Sequence, residues 1–181
     1  TNEFLYKNIT NVKIDVNAIA KGYAVDIISH LFKNLGYMNF MVEIGGEVYC
    51  SGFKKDSKEW TIGIEIPDTQ TRSISKIVKL INKGIATSGD YRNFFKFEDK
   101  IYSHIINPQT GHPIDHSLAS ATVIAPSCIE ADGLATAFLV MGTEEALKLA
   151  NSLDGVECML IERRQDGYES FMSSGFGEFI L

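Results

Sequence analysis

The segment Ser127 to Gly142, SCIEADGLATAFLVMG, sets a carboxylate and a hydroxyl four residues apart, at Asp132 and Thr136. On a helix that spacing stacks them on one face, a single turn apart. The segment opens as a helix does: Ser127 can cap, and Glu130 three residues on completes a capping-box pattern. The neighbours Leu134, Ala135, Ala137, Phe138, Leu139 and Val140 are apolar or small. A carboxylate among them needs a partner, because burying an unpaired charge is costly. Two hard oxygen ligands suit Mg²⁺, which takes few protein oxygens and keeps positions for phosphate and water. The same residues also read as a carboxylate complementing the helix dipole, with Thr136 bonded back to a carbonyl.

Other clusters carry chemistry of their own. Asp15 to Tyr23 (DVNAIAKGY) opens a helix whose free N–H groups suit a phosphate, with Lys21 adding a positive charge. It reads equally as a capped surface helix with a solvated lysine. In Glu43-Ile44-Gly45-Gly46-Glu47 the paired glycines permit either close backbone approach to a ligand or a simple turn, the commoner use. Thr87 to Phe95 (TSGDYRNFF) gathers hydroxyls, Gly89, an Asp90–Arg92 pair and aromatics where a strand would end. It is either a ligand-binding loop or a structural ion pair. In Tyr102 to Gly111 (YSHIINPQTG), His104 sits in an apolar strand before a turn. It is either a proton acceptor near neutral pH or a hydrogen-bonded core histidine.

The elements that must position these groups are legible from periodicity. Residues 17–35 predict a helix with Ile19, Tyr23, Ile27, Leu31 and Leu35 on one stripe, widened by Ala20, Ala24, Ile28 and Phe32. Gly36 predicts its terminus, and Lys21, Asp26, Ser29 and Lys33 fall off the stripe. Alternation predicts strands around Phe40–Ile44 and Trp60–Ile66, and one or two within 76–87. A hairpin is predicted from 94–97 and 101–106, and a turn at 107–111. A short strand at 121–125 feeds the 127–141 helix. Thr143 is expected to cap a further helix to about Leu153, and strands near 156–163 and 168–173 close the chain. The predicted class is α+β, an antiparallel sheet with helices covering one face and strand pairing unassigned.

The 181 residues are enough for one domain, and 45% hydrophobic with 22% charged residues is ordinary for a folded chain. A net charge of −6 argues against a general nucleic-acid binder. No apolar run reaches the ~18 residues of a membrane span. The chain starts at Thr1 without a Met, so a leader or an upstream segment is expected to be missing. Cys50, Cys128 and Cys158 fit no zinc or disulfide pattern and read as buried small hydrophobes.

Taken in order, AIAKGYAVD (18–26), VEIGGEV (42–48), ATSGDYRNFF (86–95), YSHIINPQTGHP (102–113) and EADGLATAFLVMG (130–142) resemble the ApbE family. Members of that family are Mg²⁺-dependent FAD:protein FMN transferases, formerly called thiamine-biosynthesis lipoproteins. The resemblance runs from about Asp15 to Ser174 and covers only the C-terminal portion of the family's length. The upstream half, which begins with an MGT-type segment and helps to enclose the isoalloxazine ring, is absent. Ala18 stands where many relatives have Gly.

The resemblance implies that Asp132 and Thr136 bind Mg²⁺ through side-chain oxygens, with the carbonyls of Ala18 and Ala135 as further ligands. It implies that Lys21 faces FAD, that Gly45, Gly46, Ser88 and Gly89 line the nucleotide cleft, and that His104 assists proton transfer as the catalytic group. FAD is then the substrate, and the partner is an acceptor flavoprotein with a target Thr or Ser. The alternatives are a nucleotide-binding module without turnover, and an FAD pyrophosphatase giving FMN and AMP. Either the chain is a fragment, or a homo-oligomer or a partner chain supplies the missing half. By resemblance alone the protein works in the periplasm or on the outer face of the cytoplasmic membrane, tethered by an N-terminal lipid anchor.

Overall fold

The periodicity after Asn17 corresponds to α1, Asn17–Asn34, in a computed structural model that describes residues 4, 6–68, 73–90, 94–97, 100–103 and 105–181. Its C-terminus closes as expected. Gly36 adopts φ +87°, the Gly36 N–H bonds the Lys33 carbonyl, and the Tyr37 N–H bonds the Phe32 carbonyl. That is the Schellman pattern of helix ends.

The face that α1 buries differs from the expected one. Gly22, Val25, Asp26 and Ser29 are buried, whereas Tyr23, Ile27, Leu31 and Leu35 are each about half exposed or more. The reason lies in the partner. The helix packs against α2, Cys128–Met141, through small and polar residues that allow close approach. A larger apolar stripe would hold the two backbones apart.

Strand alternation translates directly. β1 (Phe40–Ile44) and β2 (Glu47–Ser51) form a hairpin closed by Gly45 and Gly46. Both glycines have positive φ (+65° and +104°), as a two-residue loop that follows strand twist requires. β3 (Trp60–Glu65) pairs with β4 (Ile74–Leu80), and β5 (Lys83–Gly89) follows. β6 (Phe94–Phe97) and β7 (Lys100–Ser103) form the expected hairpin. β8 (Leu118–Ala125) is longer than the short strand expected, and β9 (Glu157–Arg164) and β10 (Gly167–Met172) close the chain.

The last helix, α3, spans Thr143–Ala150 and ends earlier than expected. Thr143 does not cap it. Gly142 occupies that position with φ +85°, while the Thr143 hydroxyl donates to the Glu162 carboxylate.

The main sheet runs β1-β2-β5-β8-β9-β10 with every neighbour antiparallel. Alternate residues of one strand serve opposite faces. On β9, Cys158 and Leu160 join the core beneath α2 and α3, while Met159 and Ile161 join the core shared with the β3–β4 ribbon and Phe176. Helices therefore cover one face, as expected, and the β3–β4 ribbon covers the other.

All three cysteines are free and buried. Burial pushes the Cys50 thiol up to about 12 and that of Cys158 to about 11, and raises Cys128 as well. Among the described residues no helix is long and apolar enough to cross a membrane.

Candidate functional site

A cleft of about 830 Å³ opens where the start of α1 meets the β1–β2 turn, the end of β5 and the second turn of α2. Asp15, Asn17, Ala18 and Lys21 line it from α1 and the residues just before it. Gly45, Gly46 and Glu47 line it from the turn, Thr87, Ser88 and Gly89 from β5, and Asp132, Thr136 and Val140 from α2. The expected residues Ala18, Lys21, Gly45, Gly46, Ser88, Gly89, Asp132 and Thr136 thus converge on one cavity. Ala135 is not among its lining residues. It is fully buried in the core between α2 and the sheet. His104 lies outside the described residues, as do Tyr91, Arg92 and Asn93.

Two hydrogen-bonded couplings lock α1 to α2. The Asp26 carboxylate accepts from the N–H groups of Cys128 and Ile129, both at 2.9 Å, and so caps α2 from another helix. Ser127 also accepts from the Glu130 N–H as expected, at a long 3.4 Å. The stronger cap is therefore tertiary, and charge-assisted.

The second coupling runs the other way, the Gly22 N–H donating to Asp132 Oδ2 at 2.9 Å. Gly22 has no side chain to obstruct this. A Cβ there would lie 2.4 Å from the Cys128 carbonyl oxygen and 2.8 Å from the Asp132 Cβ. In a regular α-helix the N–H of residue 22 serves the carbonyl of residue 18. Asp132 thus meets α1 one turn after Ala18, which also lines the cleft.

Asp132 is only 3% exposed, and burial pushes its carboxyl above the ordinary range, with the Gly22 N–H pulling it back. The Thr136 hydroxyl shares a 2.9 Å hydrogen bond with the Ser88 hydroxyl, joining α2 to β5 at the cleft wall. Lys21 reaches across to Glu47 and forms an ion pair with its Oε1. Glu47 is 2% exposed, and burial raises its carboxyl against the opposing pull of Lys21.

These groups fit a hard divalent cation. Asp132, the two hydroxyls and a backbone carbonyl are all oxygen donors, and Mg²⁺ needs only one or two carboxylates when it keeps water or binds phosphate. Among the described residues no three His, Cys, Asp or Glu side chains cluster as a self-sufficient metal cage. Lys21 and the amides opening α1 provide positive potential for an anion.

Arg92, the expected partner of Asp90, lies outside the described residues. Asp90 pairs with Arg163 of β9, whose Nη1 donates to Oδ2 at 2.9 Å and whose Nη2 donates to Oδ1. Nothing in the sequence signals a pair 73 residues apart. Glu47, Asp26 and Gly22 also went unassigned. Asp26 falls off the apolar stripe, and Glu47 reads as a polar strand opening. Gly22 did carry a signal, since a glycine inside a helix costs about 1 kcal/mol relative to Ala and needs a packing reason.

Comparison with known proteins gives the family and the fold. Residues 1–160 match the ApbE family. An FAD:protein FMN transferase from Vibrio cholerae serotype O1 is 41% identical over 176 residues, which is 97% of this chain and 52% of the relative. The solved flavin transferase ApbE from Vibrio cholerae superposes with a TM-score of 0.85 at 39% identity, covering 99% of this chain and 57% of that one. The apo flavinyl transferase ApbE of Pseudomonas stutzeri gives 0.80 at 42% identity, covering 92% and 51%. The chain spans about half the length of the curated relatives it matches. With its cleft, its cross-helix couplings and these likenesses, this chain belongs to the ApbE family.

Proposed function

We propose that the protein transfers FMN from FAD to the hydroxyl of a Thr or Ser on an acceptor protein, with AMP as the leaving group. The observation that carries the reading is the convergence of Asp132, the Ser88–Thr136 hydroxyl pair and Lys21 on one cleft at the start of α1. Relatives named FAD:protein FMN transferase match nearly the whole chain.

Asp132, Thr136 and the Ala18 carbonyl would hold Mg²⁺. Such an ion supplies charge neutralisation at the bridging phosphates and at the departing AMP. Phosphoryl transfer demands mainly positioning and electrostatic stabilisation. Lys21 and the first amides of α1 would bind the pyrophosphate, while Gly45, Gly46 and Gly89 allow a nucleotide to approach backbone closely. The acceptor oxygen forms its bond to the FMN-side phosphorus as the bond from that phosphorus to the AMP oxygen breaks. The hydroxyl proton passes to His104, because a neutral alcohol is a weak nucleophile.

A second reading is a nucleotide-binding module, in which the same cleft holds FAD or another nucleotide without turnover. One incubation separates the readings: protein, FAD, Mg²⁺ and a Thr-containing acceptor, with AMP measured by chromatography and flavin on the acceptor by fluorescence. AMP with a flavinylated acceptor supports transfer. Bound FAD without products supports the binding module, and FMN with AMP in the absence of acceptor indicates a pyrophosphatase. Asp132→Ala is expected to abolish transfer with the fold largely kept, and retained transfer would rule out its role at the metal.

A further inference from the structure

Glu47 is a buried acid of the cleft with no part in the proposed transfer. It opens β2 directly after the Gly45–Gly46 turn, is 2% exposed, and binds Lys21 through Oε1 alone. Its Oε2 is buried and has no hydrogen-bond partner among the described residues. A carboxylate oxygen only accepts, and a buried one left unpaired is destabilising, the more so when charged.

Gly45 sets backbone without a side chain beside this oxygen. A Cβ there would stand 3.5 Å from Oε2 and 3.3 Å from the Lys21 side chain. The charge balance also favours a cation. Asp15, Glu47, Glu65 and Asp132 line the cleft with Lys21 as the sole basic residue among its described lining residues, and Asp132 lies close enough for its charge to act on Glu47. Glu47 stands on β2 and Asp132 on α2, and the Glu47 Oε1 is already taken by Lys21. Mg²⁺ sheds its waters reluctantly, so an acid at that remove meets its hydration shell.

We infer that Glu47 is a positioning residue for a hydrated divalent cation, its Oε1 anchoring Lys21 and its free Oε2 accepting a hydrogen bond from a water on that cation. The inference rests on the Asp132–Thr136 metal reading. It also links the two halves of the site, because one carboxylate would orient both the metal's water and the lysine that meets the phosphates. Acceptors that hydrogen-bond a metal's own ligands typically govern metal affinity by about ten- to a hundredfold.

The test needs no FAD and no turnover. Mn²⁺ binding is followed by the electron paramagnetic resonance of the free ion, and Mg²⁺ binding by calorimetry, on wild type, Glu47→Gln, Lys21→Met and Asp132→Ala. Glu47→Gln is expected to weaken both ions about ten- to a hundredfold. Lys21→Met should bind them as tightly as wild type or more tightly, since it removes a positive charge and frees Oε1. Thermal melts in chelator establish that each variant folds.

Binding by Glu47→Gln within twofold of wild type, alongside loss in Asp132→Ala, overturns the role of Glu47 and leaves the metal reading standing. Unchanged binding in Asp132→Ala, or no binding by wild type, overturns the metal reading itself. Should Glu47→Gln fail to fold, Lys21→Met decides: weaker metal binding there overturns the inference.

Discussion

Replacing Gly22 with Ala isolates the contact on which the site is built. The added Cβ would meet the Cys128 carbonyl oxygen at 2.4 Å, the Ile129 Cα at 2.7 Å and the Asp132 Cβ at 2.8 Å. Two of these are backbone atoms of α2, so no side-chain rotation relieves them. Restoring ordinary contact, near 3.5 Å or more between carbons, requires the helices to separate by roughly 0.7–1 Å. The 2.9 Å bond from Gly22 to Asp132 would then exceed hydrogen-bond length, and the two Asp26 bonds to the start of α2 would stretch with it.

Overpacking of this kind costs about 1–3 kcal/mol, and each lost bond to a charged group about 1.5–3 kcal/mol. Helix propensity opposes this by about 1 kcal/mol in favour of Ala. A net loss of about 2–5 kcal/mol corresponds to a Tm lower by roughly 5–15 °C in a chain of this size. Circular dichroism melts and calorimetry of wild type and Gly22→Ala measure it directly. Propensity alone gives the opposite sign, so a variant as stable as wild type would refute the close helix contact as the reason for this glycine.

Further expectations concern the chemistry. His104→Ala should lower FMN transfer strongly while FAD binding by calorimetry is nearly kept, and equal loss of both would make His104 a binding or structural residue. Burial raises the Glu47 carboxyl above its ordinary 4.5, so the folded chain holds that proton more tightly than the unfolded one. The resulting stability is fully present below the unfolded value and is lost as pH rises through the folded one. In denaturant titrations without metal, wild type should therefore lose stability relative to Glu47→Gln as pH rises above about 4.5, and a difference independent of pH would refute it. Cys50 and Cys158, with thiols raised to about 12 and 11, and Cys128, raised in the same direction, should stay unreactive to a disulfide reagent at pH 8 until the protein unfolds. Stoichiometric reaction of the native protein would contradict their burial.

Much of this molecule was legible in its local order. The alternation of Phe40, Val42 and Ile44, the Gly45–Gly46 break and the terminus at Gly36 all rest on interactions between residues a few positions apart. Asp132 and Thr136 reached one cleft because their spacing is helical and α2 formed where its periodicity placed it. Which face of α1 faces inward was not local information. The apolar stripe of Tyr23, Ile27, Leu31 and Leu35 is real as a pattern. Burial nevertheless went to Gly22, Val25, Asp26 and Ser29, because only small side chains admit α2 so closely and only its free amides satisfy Asp26. The ion pairs Lys21–Glu47 and Asp90–Arg163 and the antiparallel order of the sheet join residues far apart in the chain. Local spacing decides which side chains a segment offers, and packing between segments decides which are buried, paired or left facing a ligand.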